Sequence, residues 1–365
     1  MRLLICAGGT GGGVNPALAV LNALRKEYTD MQLLWVGASG GMEAGLVERQ
    51  GIPFQSIPAA GVHGVGLRVL PGNIARLAQG LLASRRILRS FRPEVLFFTG
   101  GYVAVPMALA GWRVPSLLFV PDIEPGLALK TLARFADRIA VSSAASERYF
   151  PHRERIVPTG YPTRADLGTW DRSRARRSLH LTDDLPVLLV SGGSRGARSI
   201  NESVLKHLPE LLEMAQVIHI TGELDWGVVQ AQTRELPQTQ ATRYHAFPYL
   251  HEEMGAALAA ADLAVSRAGA STLGEYPLFG LPAILVPYPF AWRYQKVNAE
   301  YLAQRGAAVV IENSHLADQL LPTLRDLLNQ PDRLMSMRNA MLTLAQPAAA
   351  SEIGHLLLAL VERRS

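Results

Sequence analysis

The sequence predicts two Rossmann-like α/β domains, each built on a doubly wound parallel sheet, that face each other across a cleft. Short apolar runs alternate with helical segments along the whole chain, which is the order typical of parallel-sheet proteins. A charged stretch, residues 164–184, interrupts this alternation, and the same order then starts again. With 365 residues, the chain is long enough for two domains of ordinary size.

The apolar runs give the positions of the expected strands and helices. In the first domain, residues 1–163, we expect strands at 3–7, 33–36, 54–57, 95–98, 116–120 and 138–141. Helices at 16–26, 73–91 and 126–135 lie between them. In the second domain, residues 164–346, we expect strands at 187–190, 217–220, 244–247, 263–265, 284–286 and 308–311. We expect the last segment, 347–365 with a helix at 351–363, to pack back onto the first domain.

The composition restricts the chemistry. Cys6 is the lone cysteine, which excludes an intrachain disulfide framework and a cysteine-based metal site and fits a reducing cytosol. The nine histidines show no metal spacing, so we expect neither a metal ion nor another cofactor. His63 and His219 are candidates for function, although a lone histidine is more often structural. No stretch approaches the ~18 apolar residues of a membrane span, and the N-terminus does not resemble a secretory signal.

The formal net charge of +5 is compatible with nucleic acid, an anionic membrane surface or an anionic substrate as partner. The distribution of the charge is more informative than its total. Six arginines and no acid lie between Arg68 and Arg92, interleaved with apolar residues. Phe91 is the only aromatic residue that accompanies them, which disfavours a nucleic-acid surface. A solvated helix with scattered charge is the alternative interpretation.

The most informative segment is residues 266–275 followed by 280–287. An apolar run leads into a turn of small residues, and the turn opens a helix that carries Glu275. In open α/β sheets, ligands bind outside the carboxyl ends of strands, where helix N-termini attract diphosphate groups. A carboxylate at that position can hold a ribose diol. The segment therefore predicts a nucleotide-sugar site.

Three glycine-rich turns also follow predicted strands, at residues 8–13, 100–101 and 192–196. None of them has the G-x-G-x-x-G spacing of a dinucleotide site or the Lys-Ser/Thr of a P-loop, which disfavours a dehydrogenase or an ATPase. Glycine lets the backbone approach a ligand closely. Together the turns predict a cleft that holds pyrophosphate groups from both sides.

Two pairs of polar side chains lie close to these turns. Asp122 and Glu124 follow the strand at 116–120, where they can act on a ligand or serve the N-terminus of the next helix. Gln295 and Asn298 are three residues apart and so share one helix face. Amides both donate and accept hydrogen bonds, as sugar hydroxyls require. We expect both amides to contact a sugar.

With these motifs in hand, the chain resembles the MurG family over nearly its whole length. The family pattern GGTGGHxxPALA matches residues 8–19, and GGYxxxP matches residues 100–106. The block at 266–287 is the most specific part of the resemblance. The resemblance implies a GT-B fold. It also implies inverting, metal-independent transfer of N-acetylglucosamine from UDP-GlcNAc to the C4 hydroxyl of undecaprenyl-pyrophosphoryl-MurNAc-pentapeptide (lipid I), which yields lipid II for peptidoglycan.

The resemblance also assigns roles to residues of this sequence. For UDP-GlcNAc it implies Thr10, Gly11, Gly12, Arg164, Ser194, Leu250, Ala270, Glu275 and Gln295. For the acceptor's diphosphate it implies Gly9, Gly13, Gly100, Gly101 and Tyr102. Among the donor residues, Glu275 would hold the ribose, Ser194 the phosphates and Gln295 the sugar hydroxyls. The uracil would lie near Leu250.

Three positions depart from the family pattern. The histidine of that pattern is Gly13 here, an asparagine is replaced by Asp122, and the first of two sugar-contacting amides is Tyr294. A new carboxylate thus accompanies the lost imidazole, and our hypothesis is that Asp122 is the general base, with His63 as second candidate. Two alternatives stay open: a related GT-B enzyme that acts on another lipid acceptor, and a non-catalytic UDP-sugar-binding protein.

Because the implied acceptor is a membrane lipid, we expect peripheral association with the cytoplasmic face of an anionic bacterial membrane, and cell-wall synthesis proteins as possible partners. The arginine-rich segment 73–91 suits such docking. Its docking residues would be Ile74, Leu77, Leu81, Leu82, Arg85 and Arg86, with Leu88 on the same apolar side.

Overall fold

The chain divides into two α/β units. The computed structural model describes residues 1–8, 11–41, 43–60, 70–182, 184–193, 195–290 and 294–362. Met1–Arg164 and Pro347–Ser365 form the first unit, and Ala165–Gln346 forms the second. Several candidate residues lie outside the described part of the chain: Gly9, Thr10, His63, Arg68 and Ser194. The range 61–69, just before α3, and the range 291–293, just before α13, lie outside it as well.

The first unit is built on a seven-stranded parallel sheet with the order β3-β2-β1-β4-β5-β6-β7. Its strands are β1 Arg2–Ala7, β2 Gln32–Ala38, β3 Phe54–Ile57, β4 Val95–Gly100, β5 Ser116–Val120, β6 Arg138–Val141 and β7 Ile156–Pro158. Its helices are α1 Gly11–Glu27, α2 Glu43–Glu48, α3 Leu70–Phe91, α4 Ala104–Ala110 and α5 Leu127–Leu132. Strands β4 and β5 are buried along their whole length, as strands covered by helices on both faces must be.

The strand order of the first sheet predicts at which edge a ligand binds, here called the ligand edge. From central β1 the chain moves outward to β3 and then returns to form β4 on the other side of β1. The order therefore reverses between β1 and β4. In doubly wound sheets, the loops at such a reversal separate and leave a crevice outside the carboxyl ends of the strands.

The second unit is built on a six-stranded sheet with the order β10-β9-β8-β11-β12-β13, and its order reverses between β8 and β11. Its strands are β8 Val187–Ser191, β9 Gln216–Ile220, β10 Tyr244–Phe247, β11 Leu263–Ser266, β12 Ala283–Leu285 and β13 Ala308–Val310. Its helices are α6 Arg172–Ser178, α7 Arg198–Lys206, α8 Leu208–Met214, α9 Trp226–Thr233, α10 Gln238–Ala241, α11 Met254–Ala260, α12 Glu275–Phe279, α13 Tyr294–Ala303, α14 Leu316–Leu328 and α15 Pro331–Leu342.

The last helix, α16 Ala349–Glu362, belongs to the first unit and packs against α1. Gly354 makes this contact close, since a Cβ atom there would stand 3.0 Å from the Leu24 side chain. His355 lies within 3.0 Å of the Glu27 carboxylate at the edge of the same interface. Ile353, Leu357 and Leu360 of α16 are buried, and this burial of apolar surface stabilises the position of the helix.

Every predicted strand is present with ends within two residues of the prediction. The helices differ more. α1 begins at Gly11 and so includes part of the glycine turn, and α5 ends at Leu132 rather than at 135. The edge strand β7 was not predicted, because three residues with a proline give too short a pattern.

Candidate active site

At the ligand edge of the first unit, the two glycine turns touch each other. Ala7 of β1 pairs with Gly100 of β4, so the turns leave the sheet side by side. Gly100 and Gly101 have φ of +122° and +87°, which disfavours any side chain. A Cβ atom on Gly101 would stand 2.6 Å from the carbonyl oxygen of Gly8. Glycine is therefore required at 101 on both grounds.

The first turn of α1 is attached to β4. The Thr99 hydroxyl donates to the Gly13 carbonyl at 2.6 Å, in a buried position. Gly11, Gly12 and Gly13 all lie in this first turn, where backbone N–H groups have no partner within the helix. A Cβ atom on Gly13 would meet Thr99 only at ordinary contact distance, 3.4 Å. The backbone around position 13 therefore leaves space for a Cβ atom, so crowding does not explain why the histidine is absent.

Glu43 is a site residue that sequence reasoning missed. Its side chain is 2% exposed, and its Oε1 accepts the Ala38 N–H at 2.8 Å. Cβ atoms on Gly8, Gly37 or Gly41 would each stand within 2.9 Å of this carboxylate. The carboxylate therefore occupies the space that these glycines leave, directly beneath the first glycine turn. The only sign of this arrangement in the sequence was the pair Gly40 and Gly41 before α2, and an ordinary surface loop can contain the same pair.

Asp122 follows β5, the neighbour of β4, and is half-buried. The Ser142 hydroxyl donates to the Pro121 carbonyl at 2.7 Å, and this hydrogen bond fixes the backbone just before Asp122. Glu124 lies 3.6 Å from Lys130 of α5, so its role is an ion pair within the fold. Tyr102, at the other glycine turn, is exposed. The structure therefore places Asp122 and Tyr102 on loops that follow adjacent strands.

The predicted docking helix α3 has a narrower outward apolar face than expected. It packs against α4 and β3, so Leu77, Leu81 and Leu88 are half-buried, and their assignment to the outward face is corrected. Ile74 and Leu82 are each 55% exposed. Arg85 and Arg86 are exposed on the same helix.

Trp112 is a further exposed aromatic residue near α3, and sequence reasoning missed it. It follows α4, is 61% exposed, and carries the Arg113 guanidinium 4.7 Å from its ring centroid. A Cβ atom on Gly111 would stand 3.3 Å from Leu88, so the Trp112 turn lies beside the second half of α3. An exposed tryptophan beside arginines is typical of membrane–water interfaces.

In the second unit, the glycine turn after β8 is locked against the loop after β9. Gly193, Gly196 and Gly222 have φ between +77° and +84°. A Cβ atom on Gly196 would stand 2.2 Å from the Thr221 carbonyl oxygen. The turn leads into the nine-residue helix α7, whose N-terminus has a positive dipole end. This geometry suits a phosphate group.

The turn after β11 carries Ala270 on a 3₁₀ helix, Ala270–Leu273, and Glu275 at the first position of α12. Both residues are half-buried. The prediction that Asn298 contacts a sugar is wrong, because its side chain is fully buried and donates to the Ala268 carbonyl at 3.2 Å. Asn298 holds the turn in place instead.

Gln295, the other residue predicted to contact a sugar, belongs to α13. It lies half-buried in the first turn of α13, and its Oε1 accepts the Tyr288 N–H at 2.8 Å. Its two N–H donors are then the groups suited to a sugar hydroxyl. Leu250 is buried after β10, next to an edge-to-face contact between Tyr249 and His251. Arg164 is half-buried at the last position of the first unit's main segment.

Arg267 is a further functional candidate that sequence reasoning missed. Its guanidinium donates to the Asn313 amide oxygen at 2.8 Å, to the Ser199 hydroxyl at 2.9 Å and to the Val286 carbonyl at 3.1 Å. All these partners are neutral. Burial lowers the pKa of Arg267 from its usual value, yet an arginine stays protonated in proteins. The cation therefore ties the ends of β11 and β12 to the start of α7.

His219 has a structural role. It is fully buried, with Nδ1 2.7 Å from the Tyr244 hydroxyl and Nε2 3.0 Å from the Asn201 amide oxygen. The Asn201 amide in turn donates to the Thr221 carbonyl and the Asp225 carboxylate, both at 2.8 Å. Burial lowers the pKa of His219 to about 3, so the ring is neutral. The network holds the loop that supports the glycine turn.

Among the described residues, no group of three or more His, Cys, Asp or Glu side chains could hold a metal ion. No helix in the described part of the chain is long and apolar enough to cross a membrane.

Comparison with known proteins assigns the family. The Glycosyltransferase family 28 N-terminal domain matches residues 3–141, and the Glycosyltransferase family 28 C-terminal domain matches residues 187–353. The chain belongs to glycosyltransferase family 28. The first match lies within the first unit and the second match falls mainly in the second unit, and the chain is a glycosyltransferase.

Relatives that share one enzyme name align with this chain over nearly its full length. The chain is 42% identical to the UDP-N-acetylglucosamine–N-acetylmuramyl-(pentapeptide) pyrophosphoryl-undecaprenol N-acetylglucosamine transferase of Roseiflexus sp. strain RS-1, over 100% of this chain and 96% of the relative. It is 40% identical to the enzyme of the same name from Desulforudis audaxviator, over 97% and 96%. The crystal structure of Acinetobacter baumannii MurG superposes with a TM-score of 0.77 at 27% identity, over 98% and 99%. The chain is therefore a member of the MurG family, and the predicted GT-B fold is confirmed.

Proposed function

We propose that this enzyme transfers N-acetylglucosamine from UDP-GlcNAc to the C4 hydroxyl of lipid I, forming lipid II for peptidoglycan, with inversion at the anomeric carbon. The observation that carries the proposal is full-length identity of 42% with an enzyme named for this transfer. The donor turns of the second unit support it, since they combine a locked glycine turn, a helix N-terminus and Glu275 at one sheet edge.

On the donor side, the roles follow from the chemistry of each group. The α7 N-terminus and the turn at 192–196 bind the diphosphate through backbone N–H groups. Glu275 accepts hydrogen bonds from the ribose hydroxyls, and the Gln295 amide donates to a sugar hydroxyl. The loop with Leu250 contacts the uracil, and Ala270 lets the backbone of its turn approach the ligand.

Departure of UDP requires stabilisation of its developing negative charge. Arg267 supplies a fixed positive charge at the same sheet edge, with neutral groups as its described partners. Together with the α7 N-terminus it provides the stabilisation that a metal ion would otherwise supply, and we expect transfer to be metal-independent. Arg164, Thr10, Gly11, Gly12 and Ser194 complete the proposed donor set.

On the acceptor side, we assign the diphosphate of lipid I to the paired glycine turns, with Gly9, Gly13, Gly100, Gly101 and Tyr102 around it. Asp122 is the proposed general base that takes the proton of the C4 hydroxyl, and His63 is the second candidate. Two features of this chain support Asp122: Gly13 has no side chain that could serve as base, and Asp122 is half-buried on the loop after β5.

We also propose that the enzyme docks on the cytoplasmic face of an anionic membrane through the surface formed by Ile74, Leu82, Arg85, Arg86 and Trp112. The distribution of charge supports this. The first unit contains 20 basic and 12 acidic residues, a formal charge of +8, whereas the second contains 16 and 19, a formal charge of −3. An anionic leaflet attracts each basic residue near it by about 1 kcal/mol.

The test is transfer itself. Purified enzyme is incubated with radiolabelled UDP-GlcNAc and a short-chain lipid I analogue in EDTA, and the disaccharide lipid is separated and counted. Product formation would support lipid II synthesis and metal independence together. Binding of UDP-GlcNAc without product would contradict the proposal and favour another lipid acceptor or a binding protein without activity, which an assay with other lipid acceptors would separate.

A further inference from the structure

Two aromatic side chains beside Gln295 have no role in the function proposed so far. Phe290 is 81% exposed, the largest exposed fraction of any large hydrophobic side chain in the described part of the chain. Tyr288, two residues before it, is also exposed, and the two rings meet edge to face with centroids 5.6 Å apart. Both follow β12 at the ligand edge of the second sheet. An exposed apolar pair at such an edge is typical of a surface that binds a ligand.

The pair is held in a defined place. The Tyr288 N–H donates to Gln295 Oε1 at 2.8 Å, and Pro287 and Pro289 restrict the backbone on either side. The Tyr288 ring lies 5.4 Å from the Arg267 guanidinium, a cation–π contact. Arg267 is itself held by three strand and helix ends. Tyr288 is therefore held before a ligand binds, which lowers the free energy needed to order its ring.

The contact with Gln295 identifies the ligand. Gln295 uses Oε1 on the loop, and its two N–H donors remain suited to a sugar hydroxyl. The aromatic pair thus adjoins the proposed sugar position. The donor's N-acetylglucosamine is a gluco-configured pyranose with equatorial substituents at C2, C3 and C4, so its axial C–H groups form apolar faces that pack on aromatic rings.

We propose that the Tyr288–Phe290 pair packs against the apolar face of the donor's N-acetylglucosamine ring and contributes to selection of the sugar. This inference rests on the proposed function, whose donor is UDP-GlcNAc. The amide of Gln295 orients the hydroxyls, and the aromatic pair recognises the ring. The uridine and diphosphate are bound elsewhere on the same edge and do not depend on Phe290.

Calorimetric titration of UDP and of UDP-GlcNAc tests the proposal on the full-length enzyme. For Phe290→Ala we expect UDP-GlcNAc affinity to fall about fivefold, as loss of a few tens of Å² of apolar contact implies, while UDP affinity is unchanged. Phe290→Tyr should keep the affinity for both ligands. Met335→Ala is the matched control, because Met335 is an exposed apolar residue on α15 of the same unit.

Unchanged UDP binding also shows that the variant is folded. Equal weakening of both ligands, or of neither, would overturn the inference. The outcome is distinct from that of the transfer assay: an enzyme that binds UDP-GlcNAc through Phe290 but does not glycosylate lipid I would contradict the proposed function alone.

Discussion

The carbonyl oxygen of Gly8 lies where a side chain on Gly101 would have to begin, with only 2.6 Å between that oxygen and a Cβ atom at 101. Gly101 also has φ of +87°. We expect Gly101→Ala to lower the free energy of unfolding by at least about 1–2 kcal/mol, because the left-handed conformation alone costs that much. Relief of the contact would separate the glycine turns and reduce transfer. Urea unfolding and the transfer assay measure the two effects.

Gly45→Ala is the control for this substitution. Gly45 lies in α2, and a Cβ atom there has no neighbour within 4 Å. Alanine in a helix is favoured over glycine by about 0.5–1 kcal/mol, so stability should stay the same or rise. If Gly101→Ala unfolds at the same urea concentration as Gly45→Ala, the two turns are not in the contact described here.

The stability of the second unit should depend on the protonation of His219. Burial lowers the pKa of this ring to about 3, whereas an unfolded chain has it near 6.5. Between these values the unfolded state binds a proton that the folded state does not, so stability rises with pH. The contribution is fully present above about pH 6.5 and falls by up to ~1.4 kcal/mol per pH unit on acidification, until about pH 3.

His219→Gln removes this titration while it retains a polar side chain. We expect lower stability at pH 7, through loss of the contacts with Tyr244 and Asn201, and a flatter decline between pH 6.5 and pH 4. His315→Gln, at an exposed position, should decline as steeply as the wild type. A variant at 219 with an unaltered pH slope would show that another group causes the acid sensitivity.

The strands could be predicted because parallel strands buried on both faces are continuous apolar runs in the sequence. The glycine turns could be predicted for a similar reason, since residues such as Gly101 and Gly196 are required by their own backbone angles. Both features are local. The order of strand and helix then placed the turns at the carboxyl edge without knowledge of any distant contact.

Residues whose roles depend on distant partners could not be predicted. Arg267 contacts Ser199, 68 residues away, and Asn313, 46 residues away, and in the sequence it looks like any surface arginine. The side chain of Asn298 donates to the Ala268 carbonyl. Because this partner is a backbone atom, no pattern of side chains in the sequence reveals it, and the residue was assigned to a sugar instead. The half-burial of Leu88 likewise depends on the turn after α4, since a Cβ atom on Gly111 would stand 3.3 Å from the Leu88 side chain.

Membrane docking predicts a strong dependence on anionic lipid. We expect Arg85→Ala/Arg86→Ala to weaken binding to vesicles that contain phosphatidylglycerol by about tenfold or more, since each basic residue near such a surface contributes about 1 kcal/mol. Leu82→Asp should weaken it further by placing a charge on the apolar face. Co-sedimentation with vesicles of rising phosphatidylglycerol content measures both.

The matched control is Lys206→Ala/Arg325→Ala, which removes two exposed basic residues from the second unit. It should bind vesicles as the wild type does. Loss of binding in this control, or wild-type binding by the Arg85/Arg86 variant, would show that net charge or another surface is responsible.

Asp122→Asn tests the proposed base. A positioned base contributes about 10²–10⁴-fold to the rate, so we expect kcat to fall at least about a hundredfold. Affinity for UDP-GlcNAc should be unchanged, because the proposed donor contacts of the second unit do not involve this carboxylate. Single-turnover transfer with the lipid I analogue gives the rate of the chemical step, and calorimetry gives the affinity.

Glu124→Gln is the control for Asp122→Asn, two residues along the same loop. Its buried carboxylate contacts Lys130, and glutamine is the replacement of nearly the same shape. Glu124→Gln should therefore transfer at nearly the wild-type rate. If Asp122→Asn keeps most of its turnover, Asp122 is not the base, and His63→Gln becomes the decisive variant. A loss of transfer in His63→Gln alone would assign the proton transfer to the imidazole.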